Sequence, residues 1–317
     1  FGEVAYAVGA VAVLTVINII GVREGKWTQN LLPVVKAMGL LAIVGVAIFT
    51  PVEPGAAAKT AEATIPVSLA LIFVLFTFGG WNEMAYVAAE VHNPRRNIVR
   101  ALVLGTVGVT VLYLLVNAAF LRTLGFGGMA TSNAVATDTV AAAFPDFAAR
   151  VISVLICISA LGAVNGLIFT GSRISYAVGA DHPVFALLGK WNEQTATPVR
   201  ALIVQLAIAI GIIVGLGSFI DAIIYTSPAV YSFYIATCLA VIILRFREPQ
   251  VERPFRIPLF PLPVVVFLLA CALLLRSAMN YKPDLAVLAL TITMMGLPIY
   301  ALSTFLFGKP SNDSFRD

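Results

Sequence analysis

The stretch FVLFTFGGWNEMAYVAAEVHNPRRNIVR, Phe73 to Arg100, decides how the chain folds. It starts as an apolar helix, meets Gly79 and Gly80, and continues through Trp81, Asn82 and Glu83. It then leaves the apolar zone in an Asn-Pro-Arg-Arg cluster. Each glycine weakens a helix by about 1 kcal/mol relative to alanine. Two explanations stand open for the pair. Small residues let membrane helices pack closely, or the helix breaks here, which at membrane depth requires a cavity for the exposed backbone. The polar residues directly after the pair favour a break. A half-helix ending near Phe78 would turn unpaired carbonyls, carrying partial negative charge, towards that cavity, and such carbonyls suit an ammonium group.

Working outward, the whole chain has the composition of a membrane protein. Hydrophobic residues make up 60% of its 317 residues and charged ones only 11%, with a mean hydropathy of +0.97. Soluble domains carry about 25% charged residues, so a non-aqueous solvent is implied. Nine segments have membrane character, roughly 4–20, 31–49, 66–88, 98–121, 150–178, 200–217, 222–244, 258–277 and 285–307. Only helices satisfy the backbone of such segments within lipid. The expectation is an all-α, polytopic membrane protein forming one transmembrane domain over residues 1–317. The chain begins at Phe1 rather than Met and enters an apolar helix almost at once, so an N-terminal part is expected to be missing.

Alternating the nine segments sorts the basic residues unequally. One side receives thirteen, among them Arg23, Lys26, Arg95, Arg96, Arg100, Arg245 and Arg253, and the other only Lys59, Arg122, Arg150, Arg276 and Lys282. The richer side is assigned to the cytoplasm, which places the C-terminus there. The connection 125–147 is weakly amphipathic and has room for a short interfacial helix, with Asp146 as N-cap of the helix after it. Ser218 and Asp221 have the spacing of a capping box.

Several residues are candidates for function. Glu83 is ionisable within a membrane segment, and such groups are functional hypotheses; a carboxylate facing arginines or water is the alternative. Lys36 lies some six residues into the second segment, where snorkelling and proton coupling are both open. In SALGAVNGLIFTGSR, Asn165 is the best candidate to line a cavity, among residues that small-residue packing otherwise explains. Cys157, Cys238 and Cys271 match no metal or disulfide spacing and are expected to be buried. His92 and His182 have no ligand partners in the sequence, so no metal and no cofactor is expected. No catalytic or phosphate-binding motif is present, so neither an enzyme nor a nucleic-acid-binding protein is indicated.

The segment FTFGGWNEMAYVAAEVHNPRRNIVRAL resembles amino-acid permeases of the amino acid–polyamine–organocation superfamily, most closely the L-type transporter branch. GVREGKWTQNLLPVVKAMGLLA, ISALGAVNGLIFTGSRISYAVG and REPQVERPFRIPLFP support the likeness. The resemblance implies a twelve-helix fold whose first ten helices form two inverted repeats of five, with the nine segments as helices four to twelve. It implies that carbonyls near Phe76 and Gly79, with Gly80, hold a substrate amino group. Phe76 would also gate the site, and Trp81, Asn82, Glu83 and Asn165 would shape the pocket. Lys36 would stand in for the sodium of sodium-coupled relatives, and Glu90 would pair with Arg95 or Arg96 at an inner gate.

The expected activity is secondary transport of amino acids by alternating access at the cell membrane, by exchange or with protons. A polyamine or amine exchanger, or a non-transporting sensor with the same fold, are the alternatives. Position 83 departs from eukaryotic L-type members, which usually carry a neutral residue there. No ancillary subunit is expected.

Overall fold

A computed structural model describes residues 2–21, 25–50, 66–85, 91–253 and 255–307. Among these the chain is helical: α1 (Gly2–Ile20), α2 (Gly25–Phe49), α3 (Val67–Thr77), a 3-10 helix (Trp81–Ala85), α4 (Pro94–Thr131) and α5 (Val135–Ala141) come first. They are followed by α6 (Pro145–Asp181), a 3-10 turn (Pro183–Phe185), α7 (Val199–Leu216), α8 (Phe219–Arg247), α9 (Leu262–Tyr281) and α10 (Pro283–Phe307). Eight helical stretches among the described residues are long and apolar enough to cross a membrane, and Val34–Phe49 is a shorter apolar helix. The nine expected segments are thus present as helices. Large apolar side chains such as Tyr6, Phe49 and Phe305 are more than four-fifths exposed. That pattern suits a surface bathed in lipid rather than water.

Polar side chains within the helices are mostly turned back on their own backbone. The hydroxyls of Thr77, Thr110, Thr123, Thr237 and Thr293 donate to the carbonyl four residues earlier, at 2.7–2.9 Å. Pro228, inside α8, has no N–H for the Ile224 carbonyl, and the buried Ser227 hydroxyl donates to that carbonyl instead, at 3.1 Å.

The chain divides into two compact units, Phe1–Ala12, Ile65–Val99 and Thr170–Asp317 in the first, Val13–Thr64 and Arg100–Phe169 in the second. The core of the first unit joins α3, α8 and α9. Leu69, Ile72, Phe73 and Phe76 fall on one stripe of α3 at helical spacing, against Ile224 and Tyr231 of α8 and Cys271, Leu274 and Ala278 of α9. α10 packs on α8 and α9, and its buried Ala286 and Ala289 make a small-residue face for close approach. At one end, the Lys282 ammonium pairs with the Asp221 carboxylate, tying the start of α8 to the end of α9.

The second unit is built on α2, α5 and α6, where Ile43, Val140 and Ile152 form the buried centre and Phe120 of α4 packs against them. Arg122 closes the end of α2 by donating to the carbonyls of Ala47 at 3.2 Å and Ile48 at 3.4 Å. A cation suits that position, because the helix C-terminus carries partial negative charge. Asn18 of α1 donates to Asn165 Oδ1 of α6 at 2.7 Å and to the Leu14 carbonyl at 2.8 Å.

Several local expectations change. The short helix between the fourth and fifth segments is α5, and it packs its buried Thr139 and Val140 inward instead of lying free on the interface. α6 begins at Pro145, so Asp146 lies within its first turn and is not its N-cap. Proline takes the first position because its missing N–H has no partner there anyway. Cys157 is exposed, while Cys238 and Cys271 are buried; the apolar run around Cys157 faces outward, and sequence spacing does not say which face is covered. The capping box is present, with Ser218 Oγ accepting from the Asp221 N–H at 3.4 Å.

Candidate functional site

The centre of the first unit is the interruption of α3. The helix ends at Thr77, and Phe78 donates to the Val74 carbonyl at 3.2 Å in the last helical turn. The Gly79 N–H then turns to the Phe76 carbonyl at 2.9 Å, a three-residue step in place of the four-residue α-helical bond. A Cβ added at Gly79 would sit 2.9 Å from that same carbonyl oxygen, closer than real side chains come. Gly80 has φ 94°, a conformation that side chains on L-residues disfavour. The chain resumes as the 3-10 helix Trp81–Ala85, with the Glu83 N–H on the Gly80 carbonyl at 3.2 Å. The glycine pair therefore marks a break, and its two members serve different needs: close approach at 79, backbone sign at 80.

Aromatic rings from α8 and α9 wall the break. Phe76 meets Tyr231 edge to face at 6.5 Å between ring centres. Trp81 packs on Tyr234 at 5.3 Å and edge-on to Phe267 at 6.1 Å, and Tyr234 and Phe267 are 5.8 Å apart. The Tyr234 hydroxyl donates to Asn82 Oδ1 at 3.4 Å. These contacts hold the side chains just past the break, so Trp81 and Asn82 are oriented by helices more than 140 residues further along the chain. The Tyr231 hydroxyl is buried with no hydrogen-bond partner among the described residues. Glu83 is half-buried, and its carboxylate has no ion pair among the described residues.

Electrostatically, the break combines the negative end of the α3 dipole with the Glu83 carboxylate and no cation of its own among Val67–Ala85. Such a place favours a positively charged group flanked by aromatic faces. It offers no nucleophile–base pair. Among the described residues no group of three or more His, Cys, Asp or Glu is placed to hold a metal ion.

The remaining candidates lie elsewhere. Lys36 is half-buried in the second unit, where α2 begins at Gly25, six residues before the apolar segment expected from sequence. Asn165 is in that unit too and is engaged by Asn18. Glu90 falls outside the described residues. Arg95 and Arg96 open α4 just after Pro94, and Arg96 is exposed with its N–H on the Asn93 carbonyl at 3.1 Å. His182 precedes the turn Pro183–Phe185 and contacts Tyr300 edge to face. Sequence reasoning passed over Tyr231, Tyr234 and Phe267. A signal did exist: Tyr231 and Tyr234 recur at helical spacing in α8, beside a proline.

An all-helical chain of membrane-crossing length, with one helix broken inside its apolar run and an aromatic-walled anionic pocket at the break, has the makings of a transport protein. The comparisons give the family: the amino acid permease model matches residues 3–303, and the chain belongs to that family, within the superfamily that the sequence resembles. It is 29% identical over 94% of its length to the mouse b(0,+)-type amino acid transporter 1. It is 31% identical over 77% of its length to the mouse Asc-type amino acid transporter 1, and 29% over 94% to the rat large neutral amino acids transporter small subunit 2. The aligned stretches span 62%, 45% and 57% of those relatives.

Proposed function

We propose that this protein is a secondary transporter, moving amino acids across a cell membrane by alternating access, as an exchanger or proton symporter. The observation that carries it is the break in α3 at Gly79–Gly80. The Phe76 and Gly79 carbonyls face the substrate ammonium, Phe76 closes over it, and Trp81 and Asn82 shape the pocket. Work of this kind needs no covalent chemistry, only unequal stabilisation of two states by the ligand. The relatives, named as amino acid transporters, support it.

In this reading Lys36 supplies a fixed or titrating positive charge that couples the two states, Asn165 borders the pocket, and Glu90 with Arg95 or Arg96 closes the inner side. The C-terminus is cytoplasmic, and no ancillary subunit takes part. The half-buried Glu83 carboxylate favours a second reading on one point: the preferred substrate carries an additional positive charge, as a cationic amino acid or an amine does.

Uptake of labelled amino acids by the purified full-length protein in proteoliposomes tests this. Saturable uptake or exchange is expected; binding with neither would overturn the transport reading and leave a sensor. Lys36→Ala should lower transport at least about fivefold, within the usual range of coupling energies, while the protein stays monodisperse. Unchanged transport across pH would remove Lys36 from the mechanism.

A further inference from the structure

Between α3 and α9, inside the first unit, lies a cavity of about 630 Å³. Val67, Leu71, Val74 and Phe78 line it from α3, and Leu273 and Arg276 are among its lining residues from α9. Ser277 donates to Ser68 at 2.9 Å, bridging the two helices at one end. Asn280 stands beside them on the same rim. The other end reaches Phe78, the residue immediately before the glycine break.

Arg276 is the odd residue in this setting. It sits within α9, five residues before Tyr281, which is ~7.5 Å from the helix end at 1.5 Å per residue. Among the described residues it has no ion pair and no hydrogen bond. Cations inside membrane segments usually pair with an anion or face water. A snorkelling arginine on a filled helix face would need no hollow beside it, and here the adjoining face is open. From Val67 to Phe78 the cavity runs ~16 Å along α3, about half of the ~30 Å hydrocarbon core and so the depth of one leaflet. An apolar slot one leaflet deep, with a cation at headgroup level, has the dimensions and polarity of a lipid. Its volume is within the range of small-molecule sites, and basic pockets between membrane helices hold lipid headgroups.

We propose that this cavity binds one anionic phospholipid, its phosphate on Arg276 and Asn280 and an acyl chain lying between α3 and α9 as far as Phe78. The chain end then touches the last turn of α3, making the lipid a ligand of the helix that is interrupted. The proposal does not depend on transport.

The test uses the full-length protein in nanodiscs of mixed phosphatidylglycerol and phosphatidylcholine, followed by native mass spectrometry of the lipid it retains. The wild type should keep one phosphatidylglycerol in preference to phosphatidylcholine. Arg276→Gln should reduce that preference roughly fivefold, the ~1 kcal/mol that a basic residue contributes to anionic lipid binding, while Arg276→Lys keeps most of it. Leu71→Trp, which fills the apolar slot and leaves the rim intact, should reduce retention of both lipids. Undiminished preference in Arg276→Gln overturns the proposal. So does undiminished retention in Leu71→Trp, or displacement of the lipid by inorganic phosphate, which would mark a site for soluble anions. A wild type that retains no lipid overturns it too, since another segment of protein would then occupy the slot.

Discussion

Two helices of this protein are bent at glycine, and they are bent for different ends. In α3 the chain loses helical geometry at Phe78–Gly80 and resumes as a 3-10 helix, where Tyr234 of α8 and Phe267 of α9 pack on Trp81. In α4 the departure is confined to Gly125, with φ 65° and ψ 175°, after which the helix continues to Thr131. Phe126 beyond it is 68% exposed. The first interruption opens backbone towards a pocket, the second only redirects a helix. The difference lies in what surrounds the glycine: polar and aromatic residues able to hold a shaped gap in one case, an outward-facing apolar surface in the other.

That contrast can be broken or sharpened by substitution. Gly79→Val should have the largest effect, lowering substrate affinity by roughly 10- to 100-fold, the 1–3 kcal/mol typical of overpacking. Isothermal titration or competition binding measures it, and near-normal affinity would put α3 in the same class as α4. Glu83→Gln should come next, weakening a cationic ligand by about tenfold or more, since a hydrogen bond to a charged group is worth ~1.5–3 kcal/mol. A neutral amino acid should bind about as before; equal losses for both would deny Glu83 any part in selection. Gly125→Ala places a side chain in a region adopted almost solely by glycine and should cost ~1–3 kcal/mol of stability. Affinity in the surviving fold should be unchanged, and a large loss of affinity would erase the distinction between the two bends. The smallest change belongs to Tyr234→Phe, which removes one long hydrogen bond to Asn82. An interhelical bond of this kind averages ~0.6 kcal/mol, so a shift in affinity below about threefold is expected.

Much of this was legible in the sequence because it is local. Consecutive glycines before Trp-Asn-Glu announce a break without any knowledge of neighbours, and the Ser218–Asp221 spacing announces a cap that forms. Uncharged runs locate helices because lipid leaves the backbone no other arrangement. What stayed hidden depends on partners distant in the chain. Asn165 carries the marks of a cavity-lining residue, yet the residue that engages it is Asn18, 147 positions away. The aromatic wall at Trp81 is supplied by Tyr234 and Phe267, residues that look like ordinary lipid-facing aromatics until α8 and α9 are packed. Asp221 caps its own helix, as its spacing says, but its pairing with Lys282 requires the ends of two helices to meet. Cys157 shows the same limit from the other side, since an apolar run has one face covered and one bare.

The back-bonded threonines carry a consequence for how such a surface should be judged. With each hydroxyl spent on the carbonyl one turn earlier, lipid meets mainly the methyl group, and the residue is felt as a near-twin of valine. Hydropathy scales charge every threonine its full aqueous polarity, so these helices are oilier than their letters imply. Evolution can therefore exchange Thr and Val at Thr110 or Thr237 almost freely, and sequence divergence on the lipid-facing surface overstates physical divergence.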